Sequence, residues 1–303
     1  MKTLKFISNM IYYKTINMVK RKKRATTQKK DNYILVLIDH DGTLCNTSPS
    51  AYESLKFAAQ MACESVQINI NDLQVDWNTI FHQTRGSTER NFIRLFCFRH
   101  SVPLNQMGNF EERFYLARAV WFKNMKSFKE NPYDTYFPDA ENLINICSHH
   151  PNTTVWLITG NPIQVINERL AKHLRNYFTD KKNNLLGSFG NEALTREELI
   201  QIAIQRAMKL LKGFVPLKDS LGFTTNVVYI GDARKDFFSG LNSRVKTVWI
   251  PSRSLQEVKD VLAEDYIIFL KQFLKHRIQI VNRIDSEEVL EMILSKKNKP
   301  AGS

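Results

Sequence analysis

Acidic side chains are absent from residues 1–30, which carry ten Lys or Arg; the other 33 basic residues stand against 30 acidic ones. The net charge of +13 therefore belongs to the leader, and the body of the chain is nearly neutral. Cysteine is scarce. Cys45, Cys63, Cys97 and Cys147 lie far apart with no C-x-x-C pair, which excludes a structural zinc ribbon or a disulfide framework and points to a reducing, intracellular, cytoplasmic setting. Long apolar runs are missing too. Nothing approaches the roughly 20 residues of a spanning helix, so a membrane is not an expected partner. With 303 residues, 43% of them hydrophobic, the chain can bury one sizeable core and carry a smaller second domain.

The leader centres on Lys20-Arg21-Lys22-Lys23-Arg24. Such a run is read as a disordered solvated segment, an organelle or nuclear address, or an arm for nucleic acid. It is Lys-rich rather than Arg-rich and lacks a secretory h-region, which favours the solvated leader; Met18 offers an alternative start for a shorter native chain.

The body is organised around Tyr33-Ile34-Leu35-Val36-Leu37-Ile38-Asp39-His40-Asp41-Gly42-Thr43-Leu44. An Ile/Leu/Val run bounded by a turn reads as a strand buried on both faces of a parallel sheet. Ligands bind beyond the carboxyl ends of such strands, where Asp39 and Asp41 stand one residue apart and Gly42 lets the chain turn. An ordinary Asp-Gly turn is the competing reading of these residues. A second acidic loop, Gly231-Asp232-Ala233-Arg234-Lys235-Asp236, follows the apolar run 226–230 and shifts the balance. Four carboxylates at two strand ends suit one hard cation such as Mg²⁺, which prefers oxygen ligands. A third strand, 153–158, ends in Thr159-Gly160-Asn161-Pro162, where amides and the Thr159 hydroxyl can meet an anion at a helix start.

Periodicity predicts helices at 49–67, 71–82, 88–99 and 110–128, together an all-helical insert over residues 50–134. Beyond it, α/β alternation resumes: a helix near 139–148, strands at 185–187 and 246–250, a helix at 197–211, an edge strand at 278–281, a closing helix at 287–294, and an amphipathic helical insert at 254–275.

In that order, Asp39-x-Asp41-Gly-Thr-Leu, Thr159, Arg196 and Gly231-Asp232-x-x-x-Asp236 resemble the haloacid dehalogenase superfamily, in particular its phosphoglycolate-phosphatase-like branch, over residues 33 to about 294. The resemblance implies a doubly wound, Rossmann-like α/β core (31–49 and 135–303) with a helical cap (50–134) inserted after the first strand, and leaves out the basic leader (1–30) and the 254–275 insert. It implies a Mg²⁺-dependent phosphatase of a small phosphorylated metabolite. Asp39 is then the nucleophile that forms an aspartyl-phosphate, and Asp41 the general acid/base, with a pKa raised by burial or a neighbouring carboxylate. Thr159, Gly160 and Arg196 grip phosphoryl oxygens; Asp39, the Asp41 backbone carbonyl, Asp232 and Asp236 hold the metal, Asp236 through water or by steadying Arg196. In the cap, Gln83-Thr84-Arg85-Gly86-Ser87-Thr88-Glu89 resembles the substrate-specificity loop of capped phosphatases. Its plain reading is an inter-helix turn in which Gly86 bends the chain and Ser87 or Thr88 caps the next helix; in the functional reading Arg85 meets the substrate. Two rival classes remain: a nucleic-acid or nucleotide phosphatase that uses the basic leader, and a catalytically idle interaction module of the same fold.

Overall fold

The computed structural model describes residues 33–46, 50–84, 86–125, 135–251, 274 and 277–294. The expectations for the basic leader, for Arg85 and for residues 254–273 lie outside the described residues.

Strand β1 (Ile34–Ile38) is buried along its whole length. Side chains alternate across a strand, so Ile34, Val36 and Ile38 enter one apolar layer while Leu35 and Leu37 enter the other. Each of the fully buried leucines contributes roughly 2 kcal/mol of hydrophobic stabilisation. Strands β2 (Thr153–Thr159), β3 (Gly187–Phe189), β4 (Thr224–Gly231), β5 (Val245–Trp249) and β6 (Ile278–Ile280) join β1 in a six-stranded sheet of order β3-β2-β1-β4-β5-β6. All neighbours pair in parallel, with Val36 in register with Val155 and Val228. β1 is thus flanked by β2 and β4, and the three loops expected to carry chemistry leave the same edge side by side.

Helices cover both faces. One layer packs α5 (Pro138–His149), α6 (Ile163–Arg169) and α9 (Glu287–Leu294) on Ile34, Val36 and Ile38. On the other face, α7 (Arg196–Leu210) buries Leu199, Ile200, Ala203, Ile204 and Ala207 at helical spacing against Leu35, Leu37, Trp156 and Tyr229. Helix α8 (Arg234–Asn242) adds Phe237 over Trp249.

Between β1 and α5 lie α1 (Ser50–Ser65), α2 (Trp77–Thr84), α3 (Glu89–Arg99) and α4 (Met107–Met125). They enclose an apolar cluster of their own, with Ala58, Ala62, Ile80, Phe92, Phe96, Phe110 and Phe114.

The expected strands and helices are present with shifted ends in several places. The helix expected over 71–82 is two pieces, a 3₁₀ turn at Ile70–Leu73 and α2, because Gln74 takes a left-handed conformation (φ 46°) that an α-helix cannot carry. The strand expected at 185–187 lies two residues later, at β3, where it pairs with the carboxyl-terminal half of β2. The edge strand at 278 pairs with β5, and α9 has the bounds its periodicity indicated. No described helix is long and apolar enough to cross a membrane.

Candidate active site

Asp39 is the first residue beyond β1, anchored by its backbone N–H to the Ile230 carbonyl at 2.9 Å, and its side chain is buried. Arg196 reaches it from the start of α7. Thr195 caps that helix by accepting from the Glu198 amide at 3.2 Å, while the Glu198 carboxylate accepts from the Thr195 amide, so the chain turns into the helix with Arg196 as its first residue. From there the Arg196 guanidinium donates to Asp39 Oδ1 at 2.8 Å and Oδ2 at 3.4 Å, and lies 3.6 Å from Asp236 Oδ1.

Asp232 and Asp236 come from the loop after β4. Asp236 is fixed by the Tyr229 hydroxyl at 2.5 Å and the Ala233 amide at 3.1 Å, and Asp232 accepts from the Thr43 hydroxyl at 3.1 Å. Gly42 has φ +75°, and a methyl there would overlap the Asp232 carboxylate, so both the turn and the space require glycine.

Carboxylate oxygens of Asp39, Asp232 and Asp236, all buried, lie within 4.8 Å of one another. The Asp39 carboxyl is raised to about 7: burial pushes it up, Arg196 pulls it down, and the charges of Asp236 and Asp41 push it up again. Burial, then Asp236 and Asp39, hold Asp232 well above the usual carboxylate range. Burial opposes the charge on Arg196, yet Asp39 and Asp236 keep it firmly protonated. Three crowded carboxylates beside one guanidinium are left with excess negative charge, and their donors are all oxygen, so the set fits a hard divalent cation such as Mg²⁺.

Asp41 differs from its expected setting. Its carboxylate stands outside this trio and turns to Arg169, which donates to Oδ1 at 2.5 Å and Oδ2 at 3.1 Å; the Asn161 side-chain amide also reaches Oδ2 at 2.5 Å. The expected raised pKa is therefore corrected. Burial does push it upward, but Arg169, followed by hydrogen bonding and charge from His40, outweighs burial and holds Asp41 well below the usual carboxylate range.

Thr159 is fully buried, and its hydroxyl accepts from the Asn161 backbone amide at 3.2 Å and side-chain amide at 3.0 Å. Gly160 lies where a methyl would overlap the Ser87 carbonyl. The segment 86–90 is laid across these strand ends. Glu89 N–H donates to Gly160 O at 2.8 Å, Arg90 N–H to Gly190 O at 3.2 Å, Thr88 Oγ1 to Leu194 O at 2.9 Å, and Arg196 Nε to Gly86 O at 3.4 Å. Gly86 bends the chain with φ +67°, and Thr88, not Ser87, caps α3.

Sequence reasoning missed Arg169 and Asn161 as partners of Asp41, and the buried pair of Arg118 with Glu89. Asn161 stood in the quoted strand-end turn and was the more accessible of these; Arg169 and Arg118 are arginines within helices with no motif around them.

No family model matches the chain, and no curated protein does. Solved structures are similar in fold. A HAD hydrolase, family IA, variant 3, from Entamoeba histolytica aligns over 86% of this chain and 99% of its own, with a TM-score of 0.50 at 16% identity. A hydrolase from Pseudomonas syringae aligns over 74% of this chain and 87% of its own, with a TM-score of 0.47 at 14% identity. With a parallel six-stranded sheet, helices on both faces and acidic loops at the ends of β1 and β4, the chain has the haloacid dehalogenase-like fold.

Proposed function

We propose that this chain is a Mg²⁺-dependent phosphatase acting on a small phosphate monoester, with Asp39 as the nucleophile. The observation that carries the reading is the buried Asp39 carboxylate at the end of the central strand, paired with Arg196 and within 4.8 Å of Asp232 and Asp236. Phosphoryl transfer needs positioning and charge neutralisation more than covalent invention, and this group offers both.

In this reading Asp39 attacks phosphorus, the ester P–O bond breaks, and an aspartyl-phosphate forms; water then cleaves it to phosphate and regenerates the carboxylate. Arg196 leaves Asp39 for the phosphoryl oxygens, which its planar fork can take two at a time, and Thr159 with the Gly160 amide completes the cradle. Asp39, Asp232 and the Asp41 backbone carbonyl would hold Mg²⁺, with Asp236 steadying Arg196 and Asp232 held by Thr43. When bound, the cation neutralises phosphoryl charge and orients the group for in-line attack. Asp41 serves as acid/base, and its ionised, Arg169-bound form is the one suited to accept a proton from the attacking water. Residues 50–134 act as the cap, with Arg85 and Gly86 in the segment that meets the leaving group and excludes water.

The test is a screen of phosphate monoesters with and without Mg²⁺. Asp39→Asn is expected to lose several orders of magnitude in kcat while keeping its thermal transition, because groups that act as a unit fail together. Retained turnover in that variant would remove Asp39 as nucleophile.

A further inference from the structure

Arg169 is the last residue of α6, on the far side of the sheet from Arg196, and its guanidinium is completely shielded from solvent. Two of its contacts differ in kind. Its fork spans both Asp41 oxygens, and its Cζ lies over the Phe122 ring of α4 at 5.1 Å from the centroid. Arg118 of the same helix lies near that ring as well, at 5.7 Å, and Phe122 itself is 2% exposed. The end of α6 is pinned independently: the Tyr136 hydroxyl donates to the Arg169 carbonyl at 3.4 Å and accepts from the Ala171 amide at 3.0 Å. A short helix fixed at its end presents a guanidinium that can move only by leaving either the aromatic face or the carboxylate.

Resting on the phosphatase reading above, we propose that Arg169 is a positioning residue, seated by Phe122, that fixes the Asp41 carboxylate as the base for the second half-reaction. Helix α4 thereby sets where Asp41 points. The step it serves balances simply. A water oxygen bonds to phosphorus, the bond from phosphorus to the Asp39 oxygen breaks, and the water proton passes to Asp41. The first half-reaction with an aryl leaving group needs little help from Asp41, since a phenolate departs without being protonated first. Losing the Arg169 contact should therefore slow breakdown of the intermediate far more than its formation.

With p-nitrophenyl phosphate and Mg²⁺ under rapid mixing, Arg169→Gln and Phe122→Leu are expected to release about one nitrophenolate per enzyme in a burst, then turn over about 100-fold and about 10-fold more slowly than the wild type, the scale of general-base assistance. Phe122→Tyr, which keeps the ring face, should restore the wild-type time course. A slowed steady state with no burst, or no slowing, overturns the positioning role. Thermal melts test the coupling without turnover. The melting-temperature losses of Arg169→Gln and Phe122→Leu should combine to less than their sum in the double variant, because each removes the same contact. Strictly additive losses overturn the seating of Arg169 by Phe122. Absence of turnover in the wild type with every monoester would instead sink the phosphatase reading together with the role in its second step, and the melts would still decide the Phe122 contact.

Discussion

Arg196 at the start of α7, Lys209 in its last turn and Lys212 just beyond its end present the same charge to very different surroundings. Arg196 is buried between Asp39 and Asp236, whereas Lys209 and Lys212 are exposed. Removing Arg196 strands two carboxylates in a low-dielectric pocket and takes away the cation proposed to meet phosphate; Arg196→Ala should lower kcat/KM by at least about 100-fold, the scale of losing one buried charge-assisted contact. Lys209→Ala and Lys212→Ala should stay within about twofold of wild type in the same assay, as exposed side chains off the site do. Equal damage from either lysine would contradict the assignment. Asp39, Thr159, Asp232 and Asp236 could be singled out because each sits at a strand end with local turn chemistry, and Arg196 through the resemblance of its segment to a known family. Arg169 could not. Its role exists only because α6 folds back to bring residue 169 within 2.5 Å of residue 41, a proximity that no local pattern encodes.

Strand β5 carries an unusual inclusion. Lys246 is buried, and its ammonium donates to the Met292 carbonyl in the last turn of α9 at 3.0 Å. Burial lowers its pKa to about 8 from 10.5, against a smaller opposing pull from Asp219. The unfolded chain therefore binds more protons than the folded one between pH 8 and 10.5, and stability from this group rises with pH across that window. Below pH 8 the full cost of the buried charge is present, on the order of 3 kcal/mol from the shift. Lys246→Met should accordingly be more stable than wild type at pH 7, by about 2 kcal/mol once the lost hydrogen bond is deducted, and the gain should disappear near pH 10.5. Denaturant unfolding of both proteins at the two pH values measures this. An advantage that is the same at both would show that packing, not charge burial, governs the position. Elements of this size were legible in the sequence where periodicity was long, as in α4 and α7. They were less so where one residue's backbone decided the outcome, as at Gln74.

For the molecule as a whole, the separation of charge makes a sharp expectation. The ten basic residues of the leader lie apart in sequence from every carboxylate of the candidate site, which begins at Asp39. A chain lacking residues 1–30 should keep the kcat/KM of full-length protein on a small monoester. If its activity on a 5′-phosphorylated oligonucleotide is lost instead, with a steep salt dependence in the full-length protein, the nucleic-acid alternative gains. The sequence by itself determined the α/β class, the buried central strand and the two acidic loops, because these depend on alternation and turn residues within a few positions of one another. Tertiary structure alone decided which charges meet. Pairing β1 between β2 and β4 set Asp39 beside Arg196, 157 residues away, and folding α6 under α4 set Asp41 against Arg169 rather than beside the other carboxylates. The sign of the Asp41 pKa shift follows from that last contact. A buried carboxylate moves up or down according to the partner that reaches it across the fold, and that partner is fixed by packing, not by neighbouring residues in the chain.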